Sequence, residues 1–344
     1  MKKWIAILLV MTMLLGLLTG CGDSETPETT QSQTEDTETL QTQTQATEEK
    51  REETQMPQTE GLDGKKVLFV GDSFLFTGRA VLLNQEVTEE GRRYDTGYFY
   101  QLCKANGAEV AVTNWTYGGT GLQQIMDGYI HIFRDHSYDY VIMSGGRNSK
   151  NTIAALEKTM DRYIEVFRAA NPNVQFIYLV TSGAHNISVK ESFSMDVLNN
   201  LDKIEAKGIR VVDWGKMVAD IIRGQVEVPG SEVTFDKFSF VHNKSMEDGF
   251  HPNQLSGYLV ALFVYCAITG ESAVGQPYDF WNNKELHKSF DPVAYMNYGY
   301  KLGTSNYQDV FASPETMEGI QTLVDRYMAE KAYLTYDFTE VPQN

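Results

Sequence analysis

The stretch Lys66-Val67-Leu68-Phe69-Val70-Gly71-Asp72-Ser73 decides how the chain is read. A short apolar run, suited to a strand covered on both faces, leads straight into a glycine, an acid and a serine. Glycine at the end of a buried strand permits a sharp turn, which leaves the serine hydroxyl at the mouth of a sheet. Gly-Asp-Ser is also an ordinary turn tripeptide, so the fold must be read from what surrounds it.

The same pattern recurs downstream. Residues 109–112, 140–143, 174–180 and 209–212 form short runs rich in β-branched residues. Between them, residues 121–134, 152–170, 192–206 and 216–223 carry apolar side chains at helical spacing. Alternating strands and helices predict an α/β fold, a doubly wound three-layer α/β/α sandwich with a mostly parallel five-stranded sheet. Such sheets bind ligands beyond the carboxyl ends of their strands, near a topological switch point. Small or hydrogen-bonding residues follow the apolar runs at that edge: Asp72 and Ser73, then Asn114 with Gly118 and Gly119, then Gly145 to Asn148, then Thr181 to His185.

A serine hydroxyl is a weak nucleophile at neutral pH unless a base lies within hydrogen-bond reach and a third group orients that base. Asp248-Gly249-Phe250-His251-Pro252-Asn253, just before the helical stretch 254–269, offers both. An acid and a histidine three residues apart across a glycine-containing turn can set the carboxylate against one imidazole nitrogen while the other faces the serine. An acid capping a turn beside a surface histidine fits the segment equally well.

In order and spacing, these segments resemble the SGNH/GDSL hydrolases, a serine esterase and lipase-like family whose blocks supply Ser, Gly, Asn and His in turn. Ser73 matches the nucleophile block, Gly119 the glycine block with Gly118 as second choice, Asn148 the Gly-x-Asn block, and Asp248 to His251 the Asp-x-x-His block. The resemblance spans about residues 65–270. Phe74 stands where the family has Leu, and Ser149 where Asp or Glu is usual.

The resemblance implies a flavodoxin-like α/β/α domain in which Ser73 attacks an ester carbonyl, His251 takes its proton and Asp248 steadies the imidazole. The oxyanion would be met by the backbone N–H groups of Ser73 and Gly119 and the side-chain amide of Asn148. Asp72, Gly118, Arg147 and His185 are candidate substrate contacts. The implied reaction is hydrolysis of an O-acetyl or other short-chain acyl ester, on a small molecule or an envelope or extracellular glycan. Rival readings are an acyl transferase using the same triad and a non-catalytic glycan-binding lipoprotein.

The N-terminus begins with Lys2 and Lys3 ahead of an apolar run over residues 4–18, the order of an export signal. The run closes on Leu18-Thr19-Gly20-Cys21, which resembles the lipobox of bacterial lipoproteins, in which the cysteine is lipidated. Residues 22–60 are almost entirely Thr, Glu, Gln, Ser and Asp, a composition that cannot build a core. The expected organisation is a lipoprotein signal peptide over 1–20, a disordered tether over 21–62, a hydrolase domain over 63–270 and a C-terminal extension over 271–344 packed on that domain. Localisation is expected to be extracytoplasmic, with the membrane engaged through a lipid at Cys21.

The tether carries about half of the formal charge of −17, leaving the remainder mildly acidic. Nucleic acid is excluded as a partner, because nothing supplies the basic field that phosphate binding requires. No spacing of His, Cys and carboxylates suggests a metal site, and no cofactor is expected. Cys103 and Cys266 sit in apolar stretches and read as buried small hydrophobes, with a disulfide between them the alternative. Asp213-Trp214 reads as a helix cap beside a packed indole. The aromatics Tyr278, Phe280, Trp281, Tyr295, Tyr298, Tyr300 and Tyr307 read as core-closing residues, with sugar contact the alternative.

Overall fold

The structure is a computed structural model that describes residues 61–81, 97–134, 137–145, 152–180, 195–241, 251–278, 280 and 307–331. In chain order its elements are β1 (Lys66–Gly71), α1 (Ser73–Phe76), α2 (Tyr98–Ala105), β2 (Ala111–Thr116), α3 (Leu122–Arg134), β3 (Tyr140–Ser144), α4 (Ile153–Ala170) and β4 (Gln175–Leu179). There follow α5 (Met195–Leu198), α6 (Leu201–Glu205), β5 (Ile209–Val212), α7 (Trp214–Ile222), α8 (Gln254–Thr269), α9 (Tyr307–Ala312) and α10 (Pro314–Glu330).

The strands form one sheet in the order β2-β1-β3-β4-β5, with every neighbouring pair parallel. Alternate side chains of each inner strand enter opposite cores. Val67 and Phe69 of β1 join one cluster with Phe99, Trp214 and Leu259, while Leu68 and Val70 join the other with Ile125 and Met160. Helices therefore cover both faces, which is why the strand sequences carry no polar face. This is the doubly wound α/β sandwich expected from the sequence. The chain passes from β1 outward to β2 and then crosses to β3 on the far side, so its winding reverses between β1 and β3.

Three local expectations differ from the structure. Strand β2 continues past residue 112 to Thr116, placing Asn114 inside the strand and not in the loop after it. The polar side chains there are satisfied within the sheet, Thr116 Oγ1 donating to Asn114 Oδ1 at 3.1 Å, so polarity does not end the strand. Residues 195–205 form two short helices instead of part of one. At the break Asn200 leaves helical geometry, and its side chain donates to the carbonyl of Asp196 at 2.7 Å, a local bond that competes with the helix. Helix α7 starts at Trp214, before residue 216, because Asp213 is its N-cap and accepts from Lys216 N at 2.9 Å. The Trp214 side chain is fully buried.

Helix α8 is buried on all sides up to Ile268. Its outer face is covered by the C-terminal helices. Gln321 of α10 donates to the Tyr258 hydroxyl at 2.9 Å and to Gln276 O at 2.7 Å, and Phe311 of α9 meets the Tyr258 ring edge-on. Tyr327 ties α10 to α7 by donating to Asp220 at 2.6 Å, a carboxylate that Lys216 also holds. Cys103 and Cys266 are both buried and free, without a disulfide between them. Burial, followed by the nearby Asp325 and Glu271 carboxylates, pushes the Cys266 thiol up to about 12, and burial raises Cys103 further.

Candidate active site

The site begins where β1 ends. Gly71 is required by crowding: a Cβ there would lie 2.3 Å from the Ser144 carbonyl oxygen of β3. Asp72 is the N-cap of α1, its Oδ1 accepting from Phe74 N at 3.1 Å. Ser73, the first residue of α1, has an amide of the kind a helix leaves without an intrahelical acceptor. The turn is closed from the other side by Thr77, whose hydroxyl and amide both donate to Ser73 O, at 2.8 and 2.9 Å. Ser73 is thus held at the carboxyl end of a central strand, beside the switch point, on a backbone with little freedom.

His251 reaches it from the other end of the chain. The Ser73 Oγ to His251 Nε2 distance is 2.8 Å, across a separation of 178 residues, and the imidazole lies against the Phe74 ring. The histidine is carried on an anchored strap. Pro252 bridges Val241, and Asn253 caps α8 by accepting from Ser256 N at 3.2 Å. The Asn253 side chain also donates to Ser239 O at 2.9 Å, and Ser256 Oγ donates to Phe240 O at 2.6 Å.

What sets the spacing of these two modules is a backbone contact. A Cβ on Gly257, in the first turns of α8, would fall 1.6 Å from the carbonyl oxygen of Gly78, just beyond α1. A Cβ on Gly78 would fall 2.5 Å from the Asn253 carbonyl oxygen. Only two glycines let the serine turn and the histidine helix approach this closely.

A cavity of about 500 Å³ opens in front of Ser73. Its lining includes Asp72 and Ser73, which follow β1, Gly119, which follows β2, and Gly145, which follows β3. Gly119 has φ +70° with open space around its Cα, so its glycine answers a backbone conformation and not a neighbour. Gly118 has ordinary φ and lies near Phe76. Gly145, at φ +137°, faces Asp72 and Leu122, and its carbonyl accepts from the buried Tyr178 hydroxyl at 3.0 Å. Burial raises the Tyr178 phenol, and the charges of Asp72 and Asp213 raise it further, keeping it a donor.

Of the residues singled out in the sequence, the structure brings together Ser73, His251, Asp72 and Gly119, with Gly118 adjoining. Asp248, Asn148, Arg147, His185 and Cys21 lie outside the described residues. So do Trp281, Tyr295, Tyr298 and Tyr300; Phe280 is core, packed against Tyr98. The helical part of the cavity lining, Gln123, Gln124 and Asp127 of α3 with Ala155, Leu156 and Thr159 of α4, escaped the sequence reading. The signal that marked it was weak, an amphipathic helix beginning directly after the Gly118-Gly119 turn. Gly257 left a clearer trace, as an isolated glycine in an otherwise apolar helix.

A hydroxyl hydrogen-bonded to an imidazole beside backbone amides is an arrangement that can deprotonate the hydroxyl as it attacks a carbonyl and receive the oxyanion that forms. No known family profile matches the chain, and no curated protein sequence does. Solved structures with similar backbones include LAE5, an α/β hydrolase enzyme from the metagenome of Lake Arreo, Spain, at 19% identity and TM-score 0.45, covering 60% of this chain and 96% of that one. Axe2, an acetylxylan esterase from Geobacillus stearothermophilus, aligns at 16% identity and TM-score 0.44, covering 61% and 95%. A candidate GDSL-like lipase from Parabacteroides merdae aligns at 17% identity and TM-score 0.42, covering 62% and 99%.

Proposed function

We propose that this protein is a serine ester hydrolase in which Ser73 is the nucleophile and His251 its base. The observation that carries the reading is the 2.8 Å contact between Ser73 Oγ and His251 Nε2 at the carboxyl edge of a parallel sheet, opening on a cavity. With Nε2 accepting from the hydroxyl, the ring proton resides on Nδ1, where a carboxylate can steady the imidazolium. Asp248, three residues earlier, is the proposed carboxylate. The amides of Ser73 and Gly119, with the side chain of Asn148, are the proposed oxyanion donors.

The substrate is proposed to be a short acyl ester on an envelope or extracellular glycan, reached by a domain tethered to the membrane through lipid on Cys21. The sequence of the first 60 residues supports the tether. The acyl group is proposed to lie among Ser73, Gly119, Gly145 and Leu122, which line the cavity together.

A fluorophosphonate probe should label Ser73, and the protein should release acetate from acetylated xylan or wall polysaccharide while Ser73→Ala does neither. Activity confined to long-chain lipid esters would overturn the glycan, and failure to label would overturn the nucleophile. Incorporation of labelled palmitate, lost in Cys21→Ala, tests the anchor.

A further inference from the structure

The part of the cavity lining drawn from α3 and α4 has a composition that the reaction at Ser73 does not require. These helices present a polar rim to the cavity, Gln123, Gln124 and Asp127 from one and Thr159 from the other. The side-chain bonds of the rim fix what it can offer. Gln124 Oε1 is engaged by Gly121 N at 2.9 Å, which leaves the amide N–H groups as donors. Thr159 Oγ1 donates to Ala155 O at 3.0 Å, which leaves its lone pairs as acceptors. Asp127 supplies a carboxylate, held by Arg162 Nη1 at 2.5 Å, with about half of its own side chain still exposed. Donors and acceptors side by side suit hydroxyl groups, which need both.

Charge sharpens the selection. Among the described residues lining the cavity, the charged ones are Asp72 and Asp127, and none is basic. A carboxylate or phosphate on the bound molecule would meet the carboxylates of Asp72 and Asp127, the latter offset by its Arg162 partner, and no cation among the described lining residues. Across a partly solvated space a like charge at about 8 Å weakens binding on the order of five-fold.

We propose that Asp127 is a specificity-determining residue which, with Gln124 and Thr159, makes the site accept uncharged polyhydroxylated esters and reject anionic ones, Arg162 setting how strongly. The inference rests on the hydrolase reading of Ser73 and assigns its substrate class.

The test compares kcat/KM for an acetylated methyl xyloside with that for an acetylated methyl glucuronoside, which have the same acyl group and differ by one carboxylate. Wild type should prefer the neutral ester by about ten-fold at low ionic strength, a preference that shrinks in about 0.5 M salt. Asp127→Asn should narrow the preference at least three-fold. Arg162→Gln, which leaves Asp127 without its counter-charge, should widen it. A general loss of structure would move both variants and both esters alike. The proposal is overturned if the two variants shift the ratio in the same direction, or if neither shifts it by more than 1.5-fold. Absence of turnover on both esters in wild type would instead remove the hydrolase reading, and this inference with it.

Discussion

Two residues carry the proposed chemistry, and the constraints on each are local. Ser73 is fixed by the Asp72 cap and the Thr77 bonds, so replacing the serine removes a hydroxyl without disturbing the turn. Ser73→Ala and His251→Ala should each lower kcat at least about 1000-fold, and by similar amounts, because the pair acts as a unit. Their thermal midpoints should stay within a few degrees of wild type; a variant that keeps a tenth of the activity would remove its residue from the mechanism. Alkaline behaviour depends on other residues, among them the buried thiols. The Cys266 thiol is raised to about 12 in the folded protein from an ordinary value of 9.0, so between those values the unfolded chain loses a proton that the folded one keeps. Stability therefore falls as pH rises through that window, by up to about 1.4 kcal/mol per pH unit for one such thiol. Denaturant titrations from pH 8 to 11 should show the fall, and Cys266→Ala should make it shallower by this one thiol's share, Cys103 keeping its own. Below pH 9 neither Cys266 nor Cys103 should react with iodoacetamide until the protein unfolds, as peptide mapping would reveal.

At the scale of elements, the site is made by two pieces pressed together, the β1–α1 turn and the start of α8. Their interface has no room for a side chain at Gly257. Gly257→Ala must push α8 away from Gly78, an overpacking on the order of 1–3 kcal/mol. The histidine moves with the helix, and a displacement of about 1 Å between reacting groups costs on the order of 100-fold in rate. Gly257→Ala should thus lose far more activity than its drop in melting temperature would suggest, and a variant as active as wild type would show that the contact does not set the spacing. This coupling was legible in the sequence only as a glycine inside an apolar helix. By contrast, the strand-turn-serine of β1 could be read directly, because burial on both faces leaves a run such as Val67 to Val70 with no polar alternation. Asn114 misled for the opposite reason. It looks like a strand end, yet a polar side chain can stay within a strand when Thr116, two residues on, bonds to it.

For the whole molecule, the fold class followed from the alternation of elements, whereas the closure of the core did not. Helix α8 has no polar stripe, and the face that solvent would otherwise meet is covered by α9 and α10, beyond residue 270. Neither helix carries a motif; α9 matters through Phe311, and α10 through apolar contacts and through Gln321 and Tyr327, whose partners lie far away in sequence. Ending the chain after Gly270 should expose Tyr258 and its neighbours. We expect such a fragment to bind 8-anilinonaphthalene-1-sulfonate, to aggregate, and to show no Ser73 labelling, although it retains every residue proposed for catalysis. A monomeric, active fragment would show that α8 needs no cover.

The dependence of α8 on a cover encoded later has a consequence in time. A growing polypeptide delivers the serine turn early and the histidine helix late, and the helix emerges as an all-apolar rod before α10 has been made. Until α10 arrives, α8 lacks the cover that keeps it seated against Gly78, the contact that sets the distance between imidazole and hydroxyl. Competence at Ser73 therefore waits on α10, and not only on the strand that bears the serine.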